Sequence, residues 1–187
     1  MSNALDLLKN RTSPKAQDLV LPAPTEAQLN EILTIAARVP DHGMMKPWRF
    51  IVLPKETRAP LVDKLVANFR AGNPNATEAE ADKQRLRFGD SPLIVTVVCR
   101  ISPNVKVPDV EQLLSAGAAC MNLLNAAHAS GFGANWLTGW AAFDKPSKEL
   151  FGLADNEQIV GFIHIGTVKG EVFQRPRPDL AQIVSRR

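Results

Sequence analysis

Apolar residues recur along the chain with two spacings, and the switches between them predict its elements. Leu5 and Leu8 stand one helical turn apart in Ala4 to Lys9, with Asn3 as a candidate cap. Pro14 disfavours helical backbone at Ser13, so that helix ends before it. Thr25-Glu26-Ala27-Gln28 has the form of a capping box, and Leu29, Ile32, Leu33 and Ala36 follow on one helix face until Pro40. Leu61, Val62, Leu65, Val66 and Phe69 form another such face, broken by Gly72-Asn73-Pro74-Asn75. A second capping box, Thr77-Glu78-Ala79-Glu80, opens a charged helix.

Trp48 to Leu53 reads as a strand. Leu93 to Cys99 is nearly continuous in apolar and β-branched residues, the pattern of a strand covered on both faces. Asp109 is placed to cap a long helix running to about Ser130, with Gly131 as its stop. That helix is apolar around most of its circumference, which predicts burial. Its small residues, Ser115-Ala116-Gly117-Ala118-Ala119-Cys120, admit close approach of another helix, either its copy in a second subunit or a neighbour in the same chain. Asn135 to Thr138 reads as a short strand, Asp144 to Phe151 as a short helix, and Ile159 to Ile165 as another buried strand. From Val168 the tail carries Pro176 and Pro178, which disfavour regular structure. This order predicts an α+β fold with a central sheet flanked by helices.

Composition narrows the function. A chain of 187 residues with 45% hydrophobic and 22% charged residues fits one folded domain, 1–187, with 168–187 as a C-terminal arm. No apolar run is long enough to cross a membrane, and the first residues lack a basic region followed by an apolar stretch, so a cytoplasmic location is expected. A net charge of +3 without a basic stripe argues against nucleic-acid binding. Cys99 and Cys120 sit in apolar contexts and read as small buried hydrophobes. The three histidines do not fall at metal-ligand spacing, and with no tyrosine in the chain a tyrosine acid is excluded.

Four segments could carry chemistry. In Asn10-Arg11-Thr12-Ser13 a guanidinium beside two hydroxyls suits a phosphate, or else Arg11 complements a helix dipole. In the loop Arg38 to Trp48, Arg38 and His42 are donors for an anion or a heterocycle edge, or else Arg38 caps its own helix and His42 bonds a loop carbonyl. In Gly131 to Trp140 glycines permit close backbone approach and a strand offers donors to a flat ring, although the two tryptophans also suit packing. This is no dinucleotide fingerprint, because it follows a helix and Trp136 holds the place of the last glycine. Gly166-Thr167 with Arg175-Pro176-Arg177-Pro178 reads as a phosphate-accepting strand end or as a surface arm. There is no Gly-x-Ser-x-Gly elbow and no Walker loop.

Together these segments resemble the FMN-dependent nitroreductase family in its compact single-domain branch. The resemblance runs from Leu5-Asp6-Leu7-Leu8-Lys9-Asn10-Arg11-Thr12-Ser13 through Arg38-Val39-Pro40-Asp41-His42 and Lys46-Pro47-Trp48-Arg49-Phe50. It continues in Ser115-Ala116-Gly117-Ala118, Gly131-Phe132-Gly133-Ala134-Asn135-Trp136-Leu137-Thr138-Gly139 and Ile159 to Gly166. It implies a mostly antiparallel sheet, an intertwined homodimer, two FMN sites at the interface, and hydride transfer from NAD(P)H through flavin to a nitroaromatic, quinone or similar small acceptor. The alternative is a flavin protein for storage or sensing. By the resemblance, Arg11, Thr12 and Ser13 hold the FMN phosphate and ribityl groups from one subunit, and Arg38 and His42 reach FMN from the other. Trp136, Leu137 and Thr138 lie along the flavin, and Ala126 to Gly131 is associated with the nicotinamide nucleotide. No acid–base side chain is indispensable, because the flavin carries the chemistry. Two departures stand out: Thr12 replaces a frequent second arginine, which implies a weaker hold on phosphate, and Lys46 replaces a frequent glutamine before Pro-Trp.

Overall fold

The computed structural model describes residues 4–103 and 106–187, so the candidate cap Asn3 lies outside the described residues. Helix α1 spans Ala4–Asn10 and α2 spans Glu26–Ala36, with the Thr25–Gln28 capping box formed in both directions. Strand β1 is the pair Leu19–Val20 and β2 is Trp48–Pro54. Helix α3, Lys55–Gly72, starts ahead of its apolar face, and α4, Glu78–Gly89, carries the second capping box. Strand β3 is Leu93–Arg100 and helix α5 is Asp109–Ala129. Strand β4 is Gly133–Leu137, followed by α6, Trp140–Phe143, and α7, Lys145–Leu150. Strand β5 is Glu157–Val168 and α8 is Leu180–Ile183.

The sheet runs β1-β5-β3-β2, every pairing is antiparallel, and β4 pairs with β5. Successive β3 side chains enter opposite cores, as the strand period requires. Leu93, Val95 and Val97 pack with Ile163 and Ile165 beneath Ile32 and Ala36 of α2 and Cys120, Leu123 and Leu124 of α5. Ile94 packs with Phe162 on the other side, beneath Val62 and Leu65 of α3 and Phe88 of α4. Arg49 on β2 and Glu157 on β5 meet across β3 through two bonds of 2.7 and 2.6 Å.

Four expectations change. Pro108 occupies the cap position of α5 and Asp109 is already helical, so its carboxylate serves the first turn and the helix dipole. Asp144 is the cap of α7, its carboxylate accepting from Ser147 N, and the preceding α6 begins directly after Gly139. The tail forms the short α8, because Asp179 caps it by accepting from Ala181 N beyond the last proline. Helix α5 is also not covered all round. Val110, Leu114 and Met121 form an exposed stripe, with Leu114 67% exposed, and a Cβ on Gly117 between them would touch nothing within 4 Å.

Candidate functional site

The Arg11–Ser13 segment leaves α1 with Arg11 N donating to Leu7 O, and turns where Pro14 forbids another helical residue. Arg11 Nη1 donates to Ser13 Oγ at 3.2 Å and to Thr12 O at 3.3 Å. No carboxylate among the described residues pairs with this half-buried guanidinium. The arm returns to the same place: Arg177 Nη2 donates to Arg11 O at 3.0 Å. Burial first, and the neighbouring Arg177 second, lower the Arg11 pKa. Burial also lowers that of His128, with the Arg11 charge next in effect. Asn10, Arg11 and His128 line one open cavity, so the last turn of α5, within the Ala126–Gly131 stretch, faces this segment.

A buried bond ties the segment to the sheet: Asn135 Nδ2 on β4 donates to Pro14 O. Among the described residues strand β4 is paired through β5 alone, which leaves its other side as an edge. Trp136 is 36% exposed, and its Nε1 donates to Val160 O at 3.1 Å. The indole lies so close to β5 that a Cβ at Gly161 would overlap Nε1 and sit 2.5 Å from Cδ1. Leu137 is the last strand residue, and Thr138 falls in the turn beyond it rather than in the strand. Gly139 has φ +104° and ψ −170°, which a side chain would not adopt, and a Cβ there would collide with Arg87 Nη1.

The loop carrying Arg38 and His42 is fastened to a different part of α5. Asn122 Nδ2 donates to Ile35 O at 2.7 Å and to Arg38 O at 3.1 Å, and Ser115 Oγ donates to Pro40 O at 2.5 Å. Asn122 thus binds the helix end that Arg38 was expected to cap, leaving the Arg38 side chain exposed. Among the described residues His42 bonds no loop carbonyl: its Nδ1 meets Glu111 Oε2 at 2.6 Å. Met44 and Lys46 hold positive φ of 52° and 48°, and the Asp41 carboxylate accepts from Lys46 N at 3.0 and 3.2 Å, which fixes the strained turn. Glu111 and His128 are seventeen residues apart on α5, about 25 Å at the helical rise. One chain therefore brings Arg11, Thr12, Ser13 and β4 together and holds His42 far from them.

The strand-end half of the fourth segment, Gly166-Thr167, is closed. Strand β5 continues through Gly166 to Val168, Gly166 pairs with Gly133, and the Thr167 hydroxyl donates to Pro22 O at 2.8 Å. Burial pushes the Cys99 and Cys120 thiols up to about 11 and about 12, so neither supplies a thiolate. Sequence reasoning passed over Glu111 and Arg87, whose partners lie far away along the chain, and placed Arg177 in the fourth segment without its contact to Arg11. An isolated glycine inside a strand pattern was a signal for Gly161.

A model of the nitroreductase family matches residues 9–167. YdjA of Escherichia coli strain K12, provisionally named an NAD(P)H nitroreductase, is 41% identical over 165 residues, covering 88% of each chain. Among solved structures, a nitroreductase-like family protein from Bacillus cereus aligns with a TM-score of 0.83 at 23% identity over 99% of this chain and 96% of its own. The FMN- and NADPH-dependent nitroreductase NfnB of Sphigopyxis sp. strain HMH aligns with a TM-score of 0.80 at 17% identity over 100% and 99%. These last two likenesses establish the fold, and the family match with the YdjA identity establishes descent: the chain belongs to the nitroreductase family.

Proposed function

We propose that this protein is an FMN-dependent oxidoreductase that passes hydride from NAD(P)H to a nitroaromatic, quinone or similar small acceptor. The observation that carries the reading is the pair of guanidiniums at Arg11 and Arg177. They converge beside the β4 edge with no carboxylate among the described residues to neutralise Arg11. A half-buried guanidinium with an exposed second one beside it fits a phosphate ester, which would relieve their repulsion through charge-assisted hydrogen bonds. Ser13 Oγ, already bonded to Arg11, adds a hydroxyl at the same point. The nearby edge of β4 offers backbone groups to a flat ring, with Trp136, Leu137 and Thr138 alongside.

FMN, when bound, would supply the two-electron chemistry, taking hydride from reduced nicotinamide and giving it to the acceptor. The chain's own residues bind, orient and shield. Arg11 and Arg177 neutralise the phosphate, Thr12 and Ser13 face the ribityl end, and the Asn135 bond to Pro14 O holds this segment in register with β4. His128, in the last turn of α5, lines the same cavity as Arg11, which supports a nicotinamide contact from the Ala126–Gly131 stretch.

Arg38 and His42 enter as residues of a second copy. His42 stands about 25 Å along α5 from the Arg11 end, so a site that uses both is built from two chains. The exposed stripe of Val110, Leu114 and Met121 suits a self-complementary contact, and Gly117 lets backbones approach. Phe173, Leu180, Ile183 and Val184 are exposed on the arm, which fits an arm laid across a partner. The assembly proposed is therefore an intertwined homodimer with two flavin sites.

The test is the visible spectrum of the purified protein, followed by anaerobic titration with NADH and NADPH and by light scattering. Flavin bands that bleach on titration, in a particle of twice the chain mass, are the expected result. A protein that stays colourless after incubation with FMN and desalting refutes the reading. Flavin bands that neither nucleotide bleaches would favour storage or sensing.

A further inference from the structure

We infer that Arg87 is the residue that selects the acceptor, binding an anionic group such as a carboxylate on the molecule to be reduced. The inference rests on the flavin reading above, because it places the acceptor beside the end of β4.

Arg87 lies in the last turn of α4, half-buried, with Nη1 donating to Thr138 O at 3.4 Å. The backbone is shaped to admit it. Gly139 takes a φ and ψ that only glycine tolerates, and the space a Cβ would fill there is occupied by the Arg87 guanidinium. One guanidinium corner is thus anchored on the turn that follows Trp136, Leu137 and Thr138. No carboxylate among the described residues pairs with it. Arg85, two residues earlier, is spent on Asp63 at 2.6 Å, and Arg70 on Glu78 at 2.5 Å. The Arg87 charge is felt inside the protein as well, since it adds to the burial that holds His164 neutral.

A fixed, unneutralised guanidinium is a fork matched to a planar carboxylate. Its position at the rim where α4 meets the β4–α6 turn sets it beside the ring edge of the cofactor proposed here rather than at the phosphate. Arg11 and Arg177 already serve that end. The substrate class it favours is an aromatic acceptor carrying an anionic substituent.

The experiment uses the FMN-loaded protein and two probes of similar size, 4-nitrobenzoate and 4-nitrobenzyl alcohol. Their binding is read as the change in flavin absorbance without reductant, and their reduction as KM and kcat with NAD(P)H. The wild type is expected to bind the carboxylate at least about tenfold more tightly, the factor that corresponds to one charge-assisted contact. Arg87→Gln drops the charge and leaves a polar amide in its place. It should abolish the preference by raising Kd and KM for the carboxylate while leaving the alcohol and kcat unchanged. Arg87→Lys should retain part of it. Equal affinities for the two probes in the wild type, or a preference that survives Arg87→Gln, would overturn the inference while the flavin reading stands. A wild type without flavin bands overturns the flavin reading and this inference with it.

Discussion

Substituting Gly161 by alanine tests whether the Trp136 indole rests on the β5 backbone as described. Gly161 is buried in the middle of β5, and no unusual backbone angle protects it. In an open strand position the change would stabilise the protein by about 0.4–1 kcal/mol, because alanine reduces the freedom of the unfolded chain. Here the new Cβ would overlap Trp136 Nε1, a rigid ring atom, so the indole must swing away. Its hydrogen bond to Val160 O is then lost, at about 0.5–1.5 kcal/mol. If a third of the roughly 150–250 Å² that a tryptophan buries returns to water at about 25 cal/mol per Å², a further ~1–2 kcal/mol goes with it. The losses exceed the gain, and the net destabilisation is about 1–2 kcal/mol. For a chain of this length that lowers Tm by about 2–8 °C. Calorimetry or denaturant unfolding measures it, and the decisive comparison is a double-mutant cycle with Trp136→Ala. Once the indole is gone the same Gly161→Ala change should be neutral or stabilising. Equal destabilisation in both backgrounds would show that the indole is not what the Cβ meets. Gly161→Ala should also weaken FMN binding if Trp136 borders the ring.

Arg11→Ala should weaken FMN binding by about tenfold to a hundredfold, the worth of one or two charge-assisted hydrogen bonds, read by flavin fluorescence; unchanged affinity removes its phosphate role. Leu114→Asp puts a charge in the exposed stripe of α5 and should leave the monomer folded by circular dichroism while halving the particle mass in light scattering; a persistent dimer would place the interface elsewhere. His164, fully buried with Nδ1 at 2.8 Å from Ser91 Oγ, is pushed down to about 3 by burial, then by Arg58 and Arg87. The unfolded state binds its proton first, so stability is full above pH ~6.5 and declines as pH falls from there toward about 3. His164→Asn should flatten urea-derived stability across that window, and an unchanged slope would refute the assignment.

The local devices of this fold could be read in the sequence because each depends on neighbours along the chain. Both capping boxes, the stop at Pro14, the apolar face of α2 and the doubly buried β3 rest on spacing and backbone chemistry alone. The cysteines were equally legible, since their apolar context fixed their burial. The motifs that mark the family were readable too.

What the sequence left open depends on distance in space. Nothing local says that Asn135 reaches Pro14, that Arg177 returns to Arg11, that Glu111 takes His42 or that Arg87 fills the space beside Gly139. Each of these pairs is formed by chain segments that only the sheet and the long α5 bring together. The same holds for the one expectation the fold corrected most. The composition of α5, apolar around most of its circumference, predicts burial, yet Leu114 and Met121 stay exposed, because one chain has only enough helices and strands to cover part of that circumference. Sequence fixes which faces are apolar, and tertiary structure decides which of them find a partner within the chain.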